Sequence, residues 1–408
     1  MRFRIFYGWW MVIACMIAAM LGNALGLFGV GVYLHTVVAA NGWNVSLVSG
    51  ATTLFYVVSA VLLIPVGSGI SRFGPRPVFA LGGLSMAAGV AGIGHACALW
   101  QVYLAFLLMG TGWACLSTTA IATTLAPWFE RHQGRATSIA SLGASAGGML
   151  GAPALLFGIG QIGFASTTLV AGVLAIAILL PLAGLVLRHR PQDMGLLPDG
   201  LPADEKVTAA VAVPWTRVAA LRTTALRSVM VTFGIGMMVQ IGFLTHQVML
   251  LAHSLSTTAV SMTVSATAIA ALGGRLALAR FADQIDVRLT ASAVLLLAAA
   301  ALGVMALFPV PIVLIGTSIV FGLTVGNITT LSPIIVRREF GASAFGLIFG
   351  VASCGIQLIT ALGPTFYGGL HDAFGSYRYA LIMAAALDVA AAAVVVAGNV
   401  RPARRPHL

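Results

Sequence analysis

Residues 67–76 read GSGISRFGPR and join two long apolar runs, 46–70 and 77–95. Each run is about 20 residues or longer, the length that an α-helix needs to cross the hydrocarbon core of a membrane. In lipid every backbone N–H and C=O group must be bonded within its own segment, so such runs are predicted to be helices. The junction holds two cations, Arg72 and Arg76. This stretch therefore predicts a membrane-crossing helical hairpin with a positively charged connection.

The same pattern continues along the whole chain. Of its 408 residues, 60% are hydrophobic and only 8% are charged, whereas soluble globular proteins carry about 25% charged residues. A water-soluble fold is therefore excluded. Twelve spans are predicted, at residues 8–35, 46–70, 77–95, 99–126, 135–160, 163–187, 227–252, 257–279, 289–308, 310–337, 343–370 and 375–398.

The positions of the cations predict the orientation in the membrane. Nineteen of the 21 Lys and Arg residues fall at the termini, in the loops after spans 2, 4, 8 and 10, and between spans 6 and 7. All of these places lie on one side of a twelve-span protein, so the positive-inside rule predicts that both termini are cytoplasmic. The net charge of +11 is accordingly attributed to topology and to contact with anionic lipids, not to nucleic acid.

The two halves of the chain repeat at an offset of 212 residues. This offset aligns Gly22 with Gly234 and Arg76 with Arg288, and a polar, proline-containing segment separates the halves. Predicted domains are an N-terminal six-helix bundle at 1–187, a cytoplasmic linker at 188–226 and a C-terminal six-helix bundle at 227–408. The predicted fold is an all-α membrane protein of two pseudo-symmetric six-helix bundles. Parallel repeats of this kind are a transporter architecture, with the substrate expected at the repeat interface.

The junction at 67–76 resembles the signature loop of the major facilitator superfamily, usually written G-x-x-x-D-R-x-G-R-R. Ser71 departs from this pattern, because the family usually has Asp there, while the second-half copy keeps an acid. In the family the loop ties neighbouring helices together at the cytoplasmic side. The resemblance therefore implies a gating role for Gly67, Arg72, Gly74, Arg76 and Asp283.

Other segments resemble the bacterial monocarboxylate-porter and oxalate/formate-antiporter branch of that superfamily. These segments are YGWW at 7–10, GVYLH at 31–35 followed by GW at 42–43, WFER at 128–131, GR at 274–275 and GSYR at 375–378. The resemblance implies a secondary transporter of the bacterial inner membrane, working as a monomer.

Arg275 is the one cation in the interior of a predicted span. A guanidinium in a transmembrane helix costs about 2.5–3.5 kcal/mol on the insertion scale, and such residues are functional by default. Its planar fork matches a carboxylate, and the resemblance assigns this position to the carboxylate of the substrate. The alternative is that its side chain extends to the cytoplasmic interface.

The resemblance also bears on the number of carboxylates in the substrate. Ser353 occupies about the place of a second cation, a Lys, of the oxalate antiporters, and Ala271 replaces an Asp of the animal monocarboxylate porters. One fixed cation favours a monocarboxylate. Further substrate contacts are predicted from polar groups in the spans, each of which is alternatively an interhelical bond worth about 0.6 kcal/mol. The predicted substrate-binding residues are Arg275, His246, Tyr33, Asn327, Gln357 and Ser353.

Three titratable side chains in the spans are candidates for proton coupling. His35 and His246 lie on spans 1 and 7, and an imidazole changes its charge near neutral pH. Asp388 lies in the middle of span 12, where a buried acid is a functional suspect. The alternatives are neutral histidines bonded to neighbouring helices and a protonated Asp388 bonded to a helix backbone.

No catalytic constellation, metal-ligand spacing or nucleotide-binding loop is evident, so neither an enzyme nor a cofactor or metal is expected. The predicted function is alternating-access transport of a small monocarboxylate-type anion, by proton symport or anion exchange. The expected partners are this anion, a proton or counter-anion, and membrane lipids. A drug or amphiphile exporter of the same fold is the alternative, and a receptor or integral membrane enzyme is a third possibility.

Overall fold

The computed structural model describes residues 6–129, 132–200, 216–281, 286–340 and 345–398. Within these ranges the regular structure is helical, and twelve spans are long and apolar enough to cross a membrane. The twelve predicted spans are thereby confirmed. The chain divides into two compact units, Met1–Val207 (unit 1) and Thr208–Leu408 (unit 2), each holding six spans. The predicted linker is described only at 188–200 and 216–226, and its role stays a prediction.

In unit 1, spans 1 and 4 are each built from two helices, and a short π-helical turn follows span 6. The helices are Gly8–Leu25 and Gly29–Asn41 in span 1, Val45–Phe73 in span 2, Pro75–Ile93 in span 3, Leu99–Cys115 and Thr118–Leu125 in span 4, Gln133–Ile162 in span 5, and Phe164–Pro181 in span 6. Span 1 continues six residues beyond its predicted end at residue 35.

In unit 2, span 11 is the span built from two helices. A short helix, Arg217–Arg222, precedes span 7. The spans are Thr224–Ala252 (span 7), Thr257–Phe281 (span 8), Val287–Leu307 (span 9), Pro311–Phe340 (span 10), Phe345–Thr360 with Gly363–Phe374 (span 11) and Tyr377–Ala397 (span 12).

Polar caps and glycines set the ends of these helices. Asp286 begins span 9, where its Oδ1 accepts hydrogen bonds from the N–H groups of Arg288 at 2.9 Å and Leu289 at 3.1 Å. Gly74 separates spans 2 and 3 with φ of +83°, a conformation that glycine adopts without steric cost. Caps of this kind bond the first N–H groups of a helix, which lack a partner within the helix.

Glycines bring neighbouring spans into backbone contact. In unit 1, Gly110 of span 4 lies so close to span 2 that a Cβ there would come within 2.6 Å of the Phe55 carbonyl oxygen. In unit 2, Gly322 of span 10 lies equally close to the Thr267 carbonyl of span 8. Small residues permit this approach in membranes, where association depends on close packing. The close crossing of spans 8 and 10 determines where Arg275 lies.

Candidate functional site

The Arg275 side chain is directed from span 8 towards span 10. Its Nε lies 3.4 Å from the Gly326 carbonyl oxygen, and its Nη2 lies 3.5 Å from Oγ1 of Thr329. The residue is partly buried. Gly326 and Thr329 are near the middle of span 10, which runs from Pro311 to Phe340. The guanidinium therefore lies against the central part of a neighbouring helix and does not extend to the end of its own.

Two glycines make room for this arrangement. A Cβ on Gly326 would clash with the Ala271 carbonyl oxygen and with Cγ of Arg275, and one on Gly274 would clash with the Leu323 carbonyl oxygen. The aliphatic part of Arg275 therefore packs directly on the span 10 backbone. The residue pattern GGR at 273–275 was visible in the sequence, but its partner glycine on span 10 was not identified.

Asn327 lies beside this arginine. A Cβ on Gly274 would be 3.2 Å from its Nδ2, which donates to the Leu323 carbonyl oxygen at 3.0 Å. Its buried Oδ1 has no hydrogen-bond partner among the described residues. The structure thus brings together two of the predicted substrate contacts, a guanidinium and an amide, on facing spans.

The remaining predicted contacts lie elsewhere. Ser353 and Gln357 are partly buried on the first helix of span 11. Tyr33 is fully buried in unit 1, packs on Phe164 with ring centroids 6.5 Å apart, and has a hydroxyl without a hydrogen-bond partner in the described structure. Their contact with a substrate stays a prediction.

His246 is buried in unit 2, and protein groups occupy both of its ring nitrogens. Nδ1 lies 2.8 Å from the Tyr377 hydroxyl of span 12, and Nε2 lies 3.0 Å from the Pro364 carbonyl oxygen of span 11. The ring also stacks on Tyr367 at 5.9 Å. Both predicted roles of His246, substrate contact and proton coupling, stay predictions.

The other two proton-coupling candidates differ in burial. Asp388 is 1% exposed, and neither of its carboxyl oxygens has a hydrogen-bond partner within the described part of the chain. The predicted alternative of a bond to a helix backbone is therefore wrong. His35, near the end of span 1, is partly buried. Both roles stay predictions.

Comparison with known proteins identifies the family. The model of the Major Facilitator Superfamily matches residues 11–251 and again 228–407. The chain belongs to the Major Facilitator Superfamily. Family membership and the resulting helical architecture make it a multi-pass membrane transporter and not an enzyme.

Among curated relatives, human monocarboxylate transporter 11 is 28% identical over 340 residues, covering 79% of this chain and 69% of the relative. Rat monocarboxylate transporter 13 is 27% identical over 412 residues, covering 95% and 89%. The resemblance to the monocarboxylate branch of the superfamily is thereby confirmed.

Solved structures support the fold. A bacterial homologue of the human lysosomal transporter Spinster, in an inward-facing and occupied conformation, aligns with a TM-score of 0.73 at 14% identity, covering 96% of this chain and 97% of that one. The nucleoside transporter NupG aligns with a TM-score of 0.73 at 12% identity, covering 96% and 100%.

The superfamily signature loop lies at the junction of spans 2 and 3. Arg76 donates from Nε to the Leu187 carbonyl oxygen at 2.8 Å, and the Arg72 guanidinium lies 5.1 Å from the Phe73 ring centroid. Ser71 donates to the Gly67 carbonyl oxygen of its own helix at 3.0 Å. Asp283, the predicted acid of the second copy, lies outside the described residues. Gating by this loop stays a prediction.

The second superfamily repeat contains a polar cluster that the sequence analysis missed. Arg288, 4% exposed, forms a two-pronged ion pair with Glu339 at 2.6 and 2.9 Å. It also donates to Ser228 Oγ at 3.0 Å and to the Val395 carbonyl oxygen at 2.8 Å. Arg288 was noted as the repeat of Arg76, but no sequence signal connected it to Glu339, which follows two arginines. The cluster joins spans 7, 9, 10 and 12.

Proposed function

We propose that this transporter moves a small organic anion with one carboxylate, and that Arg275 binds that carboxylate. The observation that carries the proposal is a partly buried guanidinium held against the middle of span 10. A charged side chain at this depth is costly and is retained for function. Its rigid fork of N–H donors matches the two oxygens of a carboxylate.

Arg275 and its surroundings suit a carboxylate. The guanidinium contacts oxygens of Gly326 and Thr329 on span 10, at 3.4 and 3.5 Å. A carboxylate forms shorter and stronger bonds with a guanidinium than neutral oxygens do. The neighbouring Asn327 supplies a second polar group for the bound anion. The similarity to monocarboxylate transporters 11 and 13 agrees with this substrate class.

The transport cycle is proposed to be proton symport or anion exchange with alternating access. We place the protein in a bacterial inner membrane with both termini in the cytoplasm, since the cations follow the positive-inside rule. The runner-up function, export of drugs or amphiphiles, predicts a site that does not depend on Arg275.

The first test is uptake of radiolabelled lactate and pyruvate by proteoliposomes. Removal of a hydrogen-bonded charge costs about 1.5–3 kcal/mol, so Arg275→Ala is expected to weaken apparent affinity about 10- to 100-fold. Arg275→Lys keeps the charge without the fork and is expected to have an intermediate effect. Arg222→Ala, an exposed position outside the spans, is the charge-matched control. Unchanged uptake in both Arg275 variants would contradict the assignment.

A thermal-shift screen separates the two candidate functions. Stabilisation by small monocarboxylates that disappears in Arg275→Ala supports the anion transporter. Stabilisation by lipophilic cations that persists in this variant supports the exporter.

A further inference from the structure

A cavity of about 270 Å³ opens where spans 7 and 9 end and spans 10 and 12 begin. This end of unit 2 is the one predicted to face the outside of the cell. Its lining includes His253, His371, Tyr377 and Arg378. Arg378 is the one cation that the sequence places on the outer side. The cavity thus contains several groups able to exchange protons with water.

Tyr377 connects this cavity to the interior of unit 2. The residue lines the cavity, yet it is only 7% exposed. Its hydroxyl lies 2.8 Å from Nδ1 of His246 and 2.9 Å from Sδ of Met249. Tyr377 is therefore both part of the cavity wall and a hydrogen-bond partner of a buried imidazole.

The contacts of His246 suit both of its charge states. The Pro364 carbonyl oxygen only accepts hydrogen bonds, so Nε2, 3.0 Å away, carries a hydrogen and donates. In the neutral ring, Nδ1 accepts the hydrogen of the Tyr377 hydroxyl. In the charged ring, Nδ1 donates to the Tyr377 oxygen, and the Tyr377 hydrogen turns to the Met249 sulfur, a weak acceptor. Neither state leaves a ring nitrogen unbonded or requires a heavy atom to move.

The groups around His246 come from spans 11 and 12. Span 11 contributes Tyr367, His371 and Asp372, of which His371 and Asp372 act on His246 electrostatically. Span 12 contributes the Tyr377 hydroxyl, and its Asp388 lies within electrostatic range of Tyr367. Towards spans 8 and 10, span 7 presents neutral contacts, Gln247 to Thr267 Oγ1 at 2.9 Å and Phe243 to Phe321.

We infer that His246 is the residue that binds the transported proton, and that this proton enters from the outer cavity through the Tyr377 hydroxyl. In the transfer, a hydronium ion in the cavity gives a proton to the Tyr377 oxygen and becomes water, while the original hydroxyl hydrogen moves to His246 Nδ1. The imidazole gains one proton, and no electrons are exchanged. The inference rests on the proposed function, since it specifies the coupling site of a monocarboxylate–proton symporter.

The test compares two activities of proteoliposomes: lactate-driven proton uptake, followed with an internal pH dye, and counterflow of labelled against unlabelled lactate. Counterflow needs substrate binding and conformational change but no net proton movement. His246→Gln is expected to lower proton uptake at least tenfold and to retain counterflow within about twofold. Tyr377→Phe, which keeps the ring and removes the hydroxyl, is expected to slow proton uptake in the same selective way.

His95→Gln supplies the matched histidine control, because His95 is exposed at the end of span 3 in unit 1. It is expected to leave both activities unchanged. Loss of counterflow together with proton uptake in folded His246→Gln and Tyr377→Phe would overturn the inference, as would normal proton uptake in either variant. Selective loss in Asp388→Asn alone would instead assign the proton to that carboxyl.

The outcome for the wild type separates the two proposals. If the wild-type protein transports no lactate or pyruvate, the proposed function fails. If it transports lactate without moving protons, or if proton uptake is normal in His246→Gln, the inference fails and the substrate assignment stands.

Discussion

The two six-helix units bury different kinds of polar groups. In the described spans of unit 1, the buried polar side chains are serine, threonine and tyrosine hydroxyls. In the described spans of unit 2, they also include His246, Arg288 and Asp388. Hydroxyls form bonds to nearby helix carbonyls at little cost, whereas groups that carry charge are expensive in a membrane. Among the described residues, unit 2 therefore buries ionisable groups where unit 1 buries hydroxyls.

The offset of 212 residues allows individual positions of the two units to be compared. Phe55 with Gly110 in unit 1 corresponds to Thr267 with Gly322 in unit 2, and both glycines lie against the backbone of the corresponding residue. About two helical turns further on, Arg275 corresponds to Leu63. Unit 2 thus has a cation at a position where unit 1 has an apolar residue. The two units share the close approach of a glycine to a neighbouring helix, but they differ in the charge of the side chain at the later position.

The corresponding arginines Arg76 and Arg288 give the largest expected contrast. Arg288 is buried and pairs with Glu339, whereas Arg76 is exposed and bonds one carbonyl oxygen. Glu339 is partly exposed, so removing Arg288 is expected to cost less than the about 3–5 kcal/mol of a fully buried pair. It is expected to cost more than the about 1 kcal/mol of one ordinary hydrogen bond. Arg288→Ala is therefore expected to lower the unfolding temperature in detergent much more than Arg76→Ala. Equal shifts, measured by intrinsic fluorescence, would mean that the Arg288 cluster is not a structural tie.

A substitution of Gly326 tests whether the close crossing of spans 8 and 10 positions Arg275. Gly326→Ala introduces the residue found at the corresponding position in unit 1, Ala114, and its Cβ would clash with Ala271 and Arg275. Overpacking of this kind costs about 1–3 kcal/mol, and displacement of the guanidinium is expected to raise the Km for lactate about tenfold. Gly316→Ala on the same span, where no atom lies within 4 Å, is the control. An unchanged Km in Gly326→Ala would show that Arg275 does not need this support.

Replacement of Asp388 is expected to have the smallest effect, and it is expected to raise the stability of the protein. Asp388→Ile introduces the residue at the corresponding position of unit 1, Ile176. Since neither carboxyl oxygen has a partner among the described residues, its removal is expected to stabilise the protein by about 1–2 kcal/mol. Thermal unfolding of Asp388→Ile and Asp388→Asn measures this gain, which the amide should not give. A loss of stability in Asp388→Ile would reveal a bonding role for this carboxyl.

The number and type of the spans were predictable, because apolar length and the requirement for internal backbone bonds act within each segment. The break in span 1 at residues 26–28 was not predicted. Several glycines in this span could permit a break, and contacts with other spans decide which one does. The extension of span 1 to Asn41 was also not predicted, although residues 37–40 are apolar.

The candidate site was predictable where one side chain has a high free-energy cost of insertion into the membrane. Arg275 stood out because a cation is expensive inside a span, whichever helices surround it. The pairs His246 with Tyr377 and Arg288 with Glu339 could not be predicted, since their members are 131 and 51 residues apart. The residues next to a histidine or a tyrosine in the sequence do not indicate which helix its side chain will contact.

By itself, the amino-acid sequence determined that this chain has twelve segments able to cross a membrane and that its cations cluster at one set of loops. It also determined that Arg275 lies within one of these apolar segments, where a charge is energetically costly. These properties follow from the transfer free energy of individual segments and side chains. Only the tertiary structure decided that Arg275 lies against span 10, that Arg288 joins four spans, and that Tyr377 both contacts His246 and lines a cavity. These depend on close approach between helices, which side-chain size and packing determine together.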